Sequence, residues 1–312
     1  MDFGLQRFSR VSCARPWGDE EMSISNANSP APGGVCLDHT GHFVPDPEAA
    51  RAALTGMGFT VTPFSAQVVP DPEGGAPKLT GTGNVCVMLP EGYLEFLVHT
   101  ADTPIGLEFR AALDRRAGLH LAAFGVADAE ARHAELAEAG FDMRPLVHFS
   151  REVETEGGSA TAAFTVARLQ AGAMPEGRVQ ILTHHAPEAM WQPRWTAHEN
   201  AARALRAVVV SAPDPAEAAD RFARFLGRPA EPFGPGFRVP LDQGAVEVLP
   251  EPEAEALAGV AVEPGRPCFV ALRIGVADPA ALAARLGAES VGEAWRLPFD
   301  PALGRGAWLF EA

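Results

Sequence analysis

The sequence is poor in cysteine, in long apolar runs and in basic side chains, and each shortage removes a class of function. Cys13, Cys36, Cys86 and Cys268 are the only cysteines. No two are near neighbours, so neither a zinc ribbon nor a redox pair can be built from local spacing. Cys36 and Cys86 lie in apolar runs and read as small buried hydrophobes, as in a reduced intracellular chain. No apolar stretch approaches the roughly 18 residues of a spanning helix. The segment Met1 to Gly34 carries scattered charge and no apolar core, unlike a secretory signal. Lys and Arg number 25 against 40 Asp and Glu, a net charge of −15. That balance argues against nucleic acid or an anionic membrane surface as partner, because both reward basic patches. A cytoplasmic protein with a small-molecule partner is the expectation.

The rest is ordinary globular composition, 47% hydrophobic and 21% charged. A chain of 312 residues exceeds the usual single core, so two domains are expected. Residues 1–34 form a separate segment, flexible where Ser23 to Gly34 is rich in Ser, Asn, Pro and Gly. Met1 and Met22 are both candidate starts.

One pattern occurs four times: an apolar strand, an Asp that is usually followed by Pro, and an Ala-rich helix stopped by Gly. The Asp residues are Asp46, Asp128, Asp214 and Asp278. Gly56 or Gly58, Gly140, Gly227 and Gly287 end the helices. Asp accepts hydrogen bonds from the free amides of a first helical turn, Pro loses nothing at the first position, and Gly closes the helix in a left-handed cap. Short β-rich segments follow each helix: Phe59 to Phe64, Gly83 to Leu89 and Tyr93 to Val98 in the first copy, with a Pro/Gly-rich loop from Pro70 to Pro77. The second has Ser159 to Ala167 and Arg178 to Thr183. The third closes with Ala245 to Leu249 and the fourth with Ala307 to Phe310. Each module therefore reads β-α-β-β-β. Ala186 to Asn200, with Trp191 and Trp195, reads as the join between halves. The boundaries expected are 35–200 and 201–312.

Glu95 stands in the middle of Tyr93-Leu94-Glu95-Phe96-Leu97-Val98, sharing a strand face with Tyr93 and Leu97. Burying a carboxylate there is expensive unless something pairs with it. His39 poses the same question on the first strand, opposite in parity to His42. His120 stands at the matching place of module two, Gln180 is in step with Glu95, and His184 with His99. His42, His133 and His198 read as structural or solvated. Gly81-Thr82-Gly83 lacks a following helix and is no phosphate loop.

These strands, with Leu37-Asp38-His39, Gly81-Thr82-Gly83-Asn84 and Tyr93 to Leu97, resemble the glyoxalase-like branch of the vicinal oxygen chelate superfamily. The resemblance covers Cys36 to about Ala186, and the rest follows by repeat logic. It implies an α+β fold of four βαβββ modules paired into two cup-shaped halves. It also implies a divalent metal (manganese, iron, nickel or zinc) held by His39, Glu95, His120 and Gln180, with a one-residue bulge between His120 and Asp128 to align module two. Glu95 would move a proton beside a carbonyl, and Asn84, Tyr93 and His184 would contact substrate. Modules three and four carry Ala207 and Val270 (or Ala271) where the histidines stand, leaving Glu247 alone, so the C-terminal pair is expected to be degenerate.

The function implied is a metal-dependent lyase or isomerase of enediolate type acting on a small oxygen-bearing molecule. The alternatives are a metal-free protein of the same fold that sequesters a small molecule, and a ring-cleaving dioxygenase. A purely scaffolding protein would pair Glu95 with Arg144 or Arg168 in a filled cup. Four modules already supply two paired halves, so a monomer suffices and a homodimer is not required.

Overall fold

A computed structural model describes residues 28–69 and 75–312 of the chain. Cys13, Met22, the lead-in before Asn28 and residues 70–74 of the Pro70 to Pro77 loop lie outside the described residues. The lead-in is tied down from Asn28 onward: its side chain donates to Pro90 O (2.8 Å) and accepts from Gly92 N (2.8 Å).

Module one consists of β1 (Val35–Phe43), α1 (Pro47–Gly56), β2 (Ser65–Val69), β3 (Lys78–Met88) and β4 (Tyr93–His99). A helix, α2 (Pro104–Arg115), leads to module two: β5 (Gly118–Val126), α3 (Ala129–Glu138), β6 (Val147–Thr155), β7 (Gly158–Arg168) and β8 (Arg178–His184). The join carries α4 (Pro187–Met190) and α5 (Pro193–Thr196). Module three follows as β9 (Ala202–Ala212), α6 (Pro215–Leu226), β10 (Glu231–Phe233), β11 (Gly236–Pro240) and β12 (Ala245–Pro250). After α7 (Glu251–Ala258) comes module four: β13 (Cys268–Val276), α8 (Pro279–Leu286), β14 (Glu289–Val291), β15 (Ala294–Pro298) and β16 (Ala307–Glu311).

All four aspartates cap their helices. Asp46 and Asp128 each accept two first-turn amides, and Asp214 and Asp278 accept one each. Gly227 and Gly287 close α6 and α8 in left-handed caps, with φ of 65° and 72°. Modules one and two form an eight-stranded sheet in the order β2-β3-β4-β1-β5-β8-β7-β6. Modules three and four repeat it as β10-β11-β12-β9-β13-β16-β15-β14. In each, the two first strands pair antiparallel at the centre, flanked by their parallel last strands. This is the α+β glyoxalase-like architecture of paired βαβββ modules.

The convex faces of both sheets share one apolar core with helices from both halves. Phe124 meets Phe225 edge-on at 6.5 Å, and Phe59 lies 5.8 Å from Trp308. Backbone bridges Cys36–Gln243, Glu91–Ala204 and Gly118–Arg305 stitch the halves. Trp191 packs the join down, fully buried, with its indole N–H on Leu89 O at 3.0 Å.

Two local expectations are corrected. Phe59 to Phe64 is not a strand; β2 begins at Ser65, after Pro63, whose missing N–H suits a strand interior badly. The helix α2 was not read from the sequence, although Thr103 and Pro104 form a start signal like the Asp-Pro ones. No helix among the described residues is long and apolar enough to cross a membrane.

Candidate active site

The concave face of the N-terminal sheet is built around a bulge. In the β1–β5 ladder Leu37 pairs with Phe124 and His39 with Ala123, so Asp38 has no partner across the strand. The extra residue shifts parity. Leu37 packs in the convex-side core, while Asp38 and the next residue, His39, are hydrogen-bonded neighbours. Asp38 is completely buried between two imidazoles. Its Oδ1 meets His39 Nδ1 at 2.6 Å and its Oδ2 meets His184 Nε2 at 2.9 Å. Burial alone would raise the Asp38 pKa, but His184 and His39 together hold it below the usual carboxylate range. An ionised Asp38 fixes Nδ1 of His39 as its donor and leaves Nε2 to face the cup.

On the neighbouring strand β4, Glu95 Oε2 stands 3.8 Å from His39 Nε2. The other carboxylate oxygen is clamped: Glu95 Oε1 accepts from Asn84 Nδ2 at 2.5 Å and from Gln67 Nε2 at 3.1 Å. The Gln67 amide is set in turn by Thr82, whose hydroxyl donates to Gln67 Oε1 at 2.7 Å. Two neutral amides thus hold one oxygen still while the other is free to act. Gly41, beside Glu95 in register, leaves room, since a Cβ there would lie 2.9 Å from the Leu121 Cβ.

Around this dyad is a cavity of about 180 Å3. Glu95, His39, Asn84, Tyr93 and Gln180 line it, with Gln67, Thr80 and Ser150. The remaining wall is largely apolar, including Phe109 from α2, Phe149 and Phe164. Tyr93 stacks on His39 with ring centroids 4.3 Å apart. Arg168 and Arg178 close one end. The Arg178 guanidinium lies 4.8 Å from the Phe109 ring centre, and burial pushes its pKa down to about 10, which keeps it cationic at neutral pH. Glu95 pairs with neither Arg144 nor Arg168; Arg144 is engaged by Glu108 at 3.1 Å.

Of the residues expected here, His39, Glu95, Gln180, Asn84 and Tyr93 converge on the cavity. His184 does not line it and holds Asp38 from behind. His120 is placed elsewhere. The β1–β5 register passes from Gly41–Leu121 to His42–Leu119, so the bulge falls on His120 itself. Its Nε2–H donates to Arg116 O at 2.6 Å, its ring stacks on Phe43 at 4.9 Å, and burial pushes its pKa down to about 4. Leu121 takes the inward place that mirrors His39.

The divalent metal implied by the resemblance can be tested on these donors. Module one offers His39 and Glu95, module two offers the neutral Gln180, and Leu121 stands where a fourth ligand would be. No group of three or more His, Cys, Asp and Glu side chains among the described residues is placed to hold a metal ion. The four-ligand set therefore does not assemble, since His120 is turned away from the other three.

Gln67, Asp38, Arg168 and Arg178 are site residues that reasoning on strand parity passed over. A carboxylate in the middle of an apolar strand needs a partner, and Asp38 is such a carboxylate as much as Glu95 is. The C-terminal sheet shows the contrasting outcome. Glu247, in the place of Glu95, is bound by Arg273 Nε at 2.7 Å, and Arg273 also meets Glu311 at 3.0 Å. There α7 fills the cup, packing Ala254, Leu257 and Ala258 against Val209, Ala271 and Leu309.

No curated protein matches the chain in sequence. Among solved structures, a hypothetical protein from Staphylococcus aureus is similar over 89% of this chain and 99% of its own, with a TM-score of 0.61 and 10% identity. It shares the fold. A Mn(II)-bound glyoxalase from Novosphingobium aromaticivorans aligns over 88% of this chain and 81% of its own, with a TM-score of 0.49 and 12% identity. A mutant 4-hydroxymandelate synthase from Streptomyces coelicolor aligns over 81% and 74%, with 0.47 and 14%. The family model of the glyoxalase-like domain matches residues 37–226, from the first strand of the cup into α6. That span is more than half of the 312 residues, and the chain belongs to the glyoxalase-like domain family of the vicinal oxygen chelate superfamily.

Proposed function

We propose that the N-terminal cup catalyses proton transfer at a carbon beside a carbonyl in a small oxygen-bearing molecule, with Glu95 as the base and His39 as its partner. The observation that carries this reading is the facing pair of Glu95 Oε2 and His39 Nε2, 3.8 Å apart in a largely apolar cavity, each held from behind by its own hydrogen bonds. A carboxylate with one oxygen held by two amides and the other facing the cavity is oriented to act as a base. Glu95 would take the proton from carbon, the bonding pair would move to the carbonyl oxygen, and His39 would donate its Nε2 proton to that oxygen. Return of the proton from Glu95 to the neighbouring carbon, as the other enediol hydroxyl gives its proton to His39 Nε2, isomerises the substrate and restores both groups. Asp38 stabilises the imidazolium that this cycle needs.

Proton NMR in D2O, with a panel of small hydroxyketones and 2-oxo acids, tests the reading. The wild-type protein is expected to exchange a C–H for deuterium on at least one member, and Glu95→Gln to slow that exchange about 100-fold or more. Equal exchange by both proteins would overturn it. A second reading, a protein that only sequesters its ligand, draws on the apolar walls contributed by Phe109, Phe149 and Phe164. It requires binding without exchange. Metal dependence is tested on protein purified without an affinity tag: elemental analysis is expected to find no stoichiometric manganese, iron, nickel or zinc, and adding them to leave the melting temperature unchanged. Stoichiometric metal lost in Glu95→Ala would restore a metal-centred mechanism.

A further inference from the structure

For a chain of net charge −15, one end of the cup is unexpectedly basic. Arg168 and Arg178 line the cavity, and both also line an adjoining concavity of about 510 Å3 between α2, the start of β8 and the segment after β7. Arg115, Arg144 and Arg266 face the same space, with Glu108 the one carboxylate among them. Glu108 is already engaged, by Arg144 at 3.1 and 3.3 Å and by Arg178 at 3.1 Å. Arg168 is left over. Its Nε is buried with no hydrogen-bond partner, and no ion pair reaches its guanidinium among the described residues.

A buried N–H without a partner is costly, and around the half-buried Arg168 guanidinium its neighbour Arg144 adds repulsion. Arginine forks match the paired oxygens of a carboxylate or phosphate. Arg168 pairs across the ladder with Gln180, and Arg178 is the preceding inward residue on the same strand as Gln180. Arg178, on β8, therefore lies two strands from His39, and Arg168, on β7, lies three, since Gln180 pairs with Ala123 and Ala123 with His39. We propose that the ligand of the cup is an anion, carrying a carboxylate or phosphate group that sits on Arg168 and Arg178 while its reactive carbon reaches Glu95. This rests on the reading of the cup as a proton-transfer site and names the class of substrate it takes. The anionic group orients the molecule; the apolar walls exclude water from the far end.

Calorimetric titration of the full chain with inorganic phosphate, with propionate and with the neutral propionamide tests it. At low salt, saturable binding of phosphate or propionate is expected, weakened by added salt, with no binding of propionamide. Tighter phosphate binding points to phosphate esters and tighter propionate binding to carboxylic acids. Arg168→Gln, which has no side-chain bond to lose, is expected to weaken binding about tenfold or more, and Arg178→Gln likewise. Glu95→Gln is expected to keep anion binding while losing carbon exchange. Binding of neither anion, equal binding of propionate and propionamide, or full-strength binding by Arg168→Gln would overturn the proposal. Those outcomes leave the exchange result with Glu95→Gln untouched, so the two readings fail separately.

Discussion

Asp38 is the side chain on which the dyad depends, because a carboxylate with no exposure holds two imidazoles at once. Asp38→Asn keeps the shape but turns an amide NH2 toward one histidine that must also donate. Breaking a buried pair in this way is expected to cost about 3 kcal/mol, measured by urea unfolding, and to misalign His39 so that carbon exchange falls with it. Unchanged stability would show that the histidines orient themselves. His42, on the opposite face, behaves differently: it stacks on Phe96 at 4.7 Å, meets Phe299 at 4.9 Å, and has both ring nitrogens buried without hydrogen-bond partners among the described residues. Burial, aided by the nearby His120 and Arg116 charges, pushes its pKa down to about 3. The unfolded chain takes up that proton near pH 6.5. Between these values the unfolded state binds more protons, so this contribution is complete above about pH 6.5 and is lost as pH falls toward 3. His42→Phe is expected to remove up to ~1.4 kcal/mol per pH unit from that slope and to raise the melting temperature at neutral pH. A slope equal to wild type between about pH 4 and 6 would assign the acid sensitivity to His120 and His198 instead. At this scale period-two parity, which holds within an uninterrupted strand, put Glu95, His39, Asn84, Tyr93 and Gln180 on the face that lines the cavity, and their roles there are proposals. It misplaced His120 and overlooked Asp38, because both sit on bulges that only the pairing of β1 with β5 decides.

Among the elements, the Asp-capped helices were legible because cap and stop signals are local, whereas α2 and α7 differ in consequence through long-range packing. Both follow a module's last strand and enter a cup. The helix α7 fills its cup; α2 contributes Phe109 and Ala112 to one wall and leaves the cavity open. The position of α2 is set by close backbone approach at Gly106, where a Cβ would lie 2.1 Å from Ala101 O and 3.0 Å from Gly81 O. Thr103 adds a clasp, bonding to Thr80 O and capping Gly106 N at 2.9 Å. Gly106→Ala is expected to push α2 off β3, to cost about 2 kcal/mol or more in thermal unfolding, and to weaken ligand binding in the cup. Gly56, in the last turn of α1, has nothing within 4 Å of its would-be Cβ. Gly56→Ala is expected to stabilise by about 0.5–1 kcal/mol. If both variants lost stability alike, backbone contact at Gly106 would not be what seats α2.

At the scale of the whole molecule, the two sheets are equal in topology and unequal in role. The C-terminal cup is closed by its own helix and by the Arg273 ion pairs, so it presents no site like the N-terminal one. Its convex face, however, completes the core of the first half: His42 and Phe59 pack against Trp308, Phe124 against Phe225. Removing the second half would strip Phe59 and Phe124 of their partners Trp308 and Phe225, and burial is worth roughly 1.5–3 kcal/mol for each large side chain, in a protein whose total stability is of order 5–15 kcal/mol. The backbone bridges at Cys36, Glu91 and Gly118 would go with it. A chain ending after Asn200 is therefore expected to aggregate or to lose cooperative unfolding, although it retains every residue of the proposed dyad. The intact protein is expected to melt in one calorimetric transition with matching calorimetric and van't Hoff enthalpies. Two separate transitions, or a soluble truncated chain that still exchanges the substrate proton, would show that the shared core is dispensable and that the halves are independent.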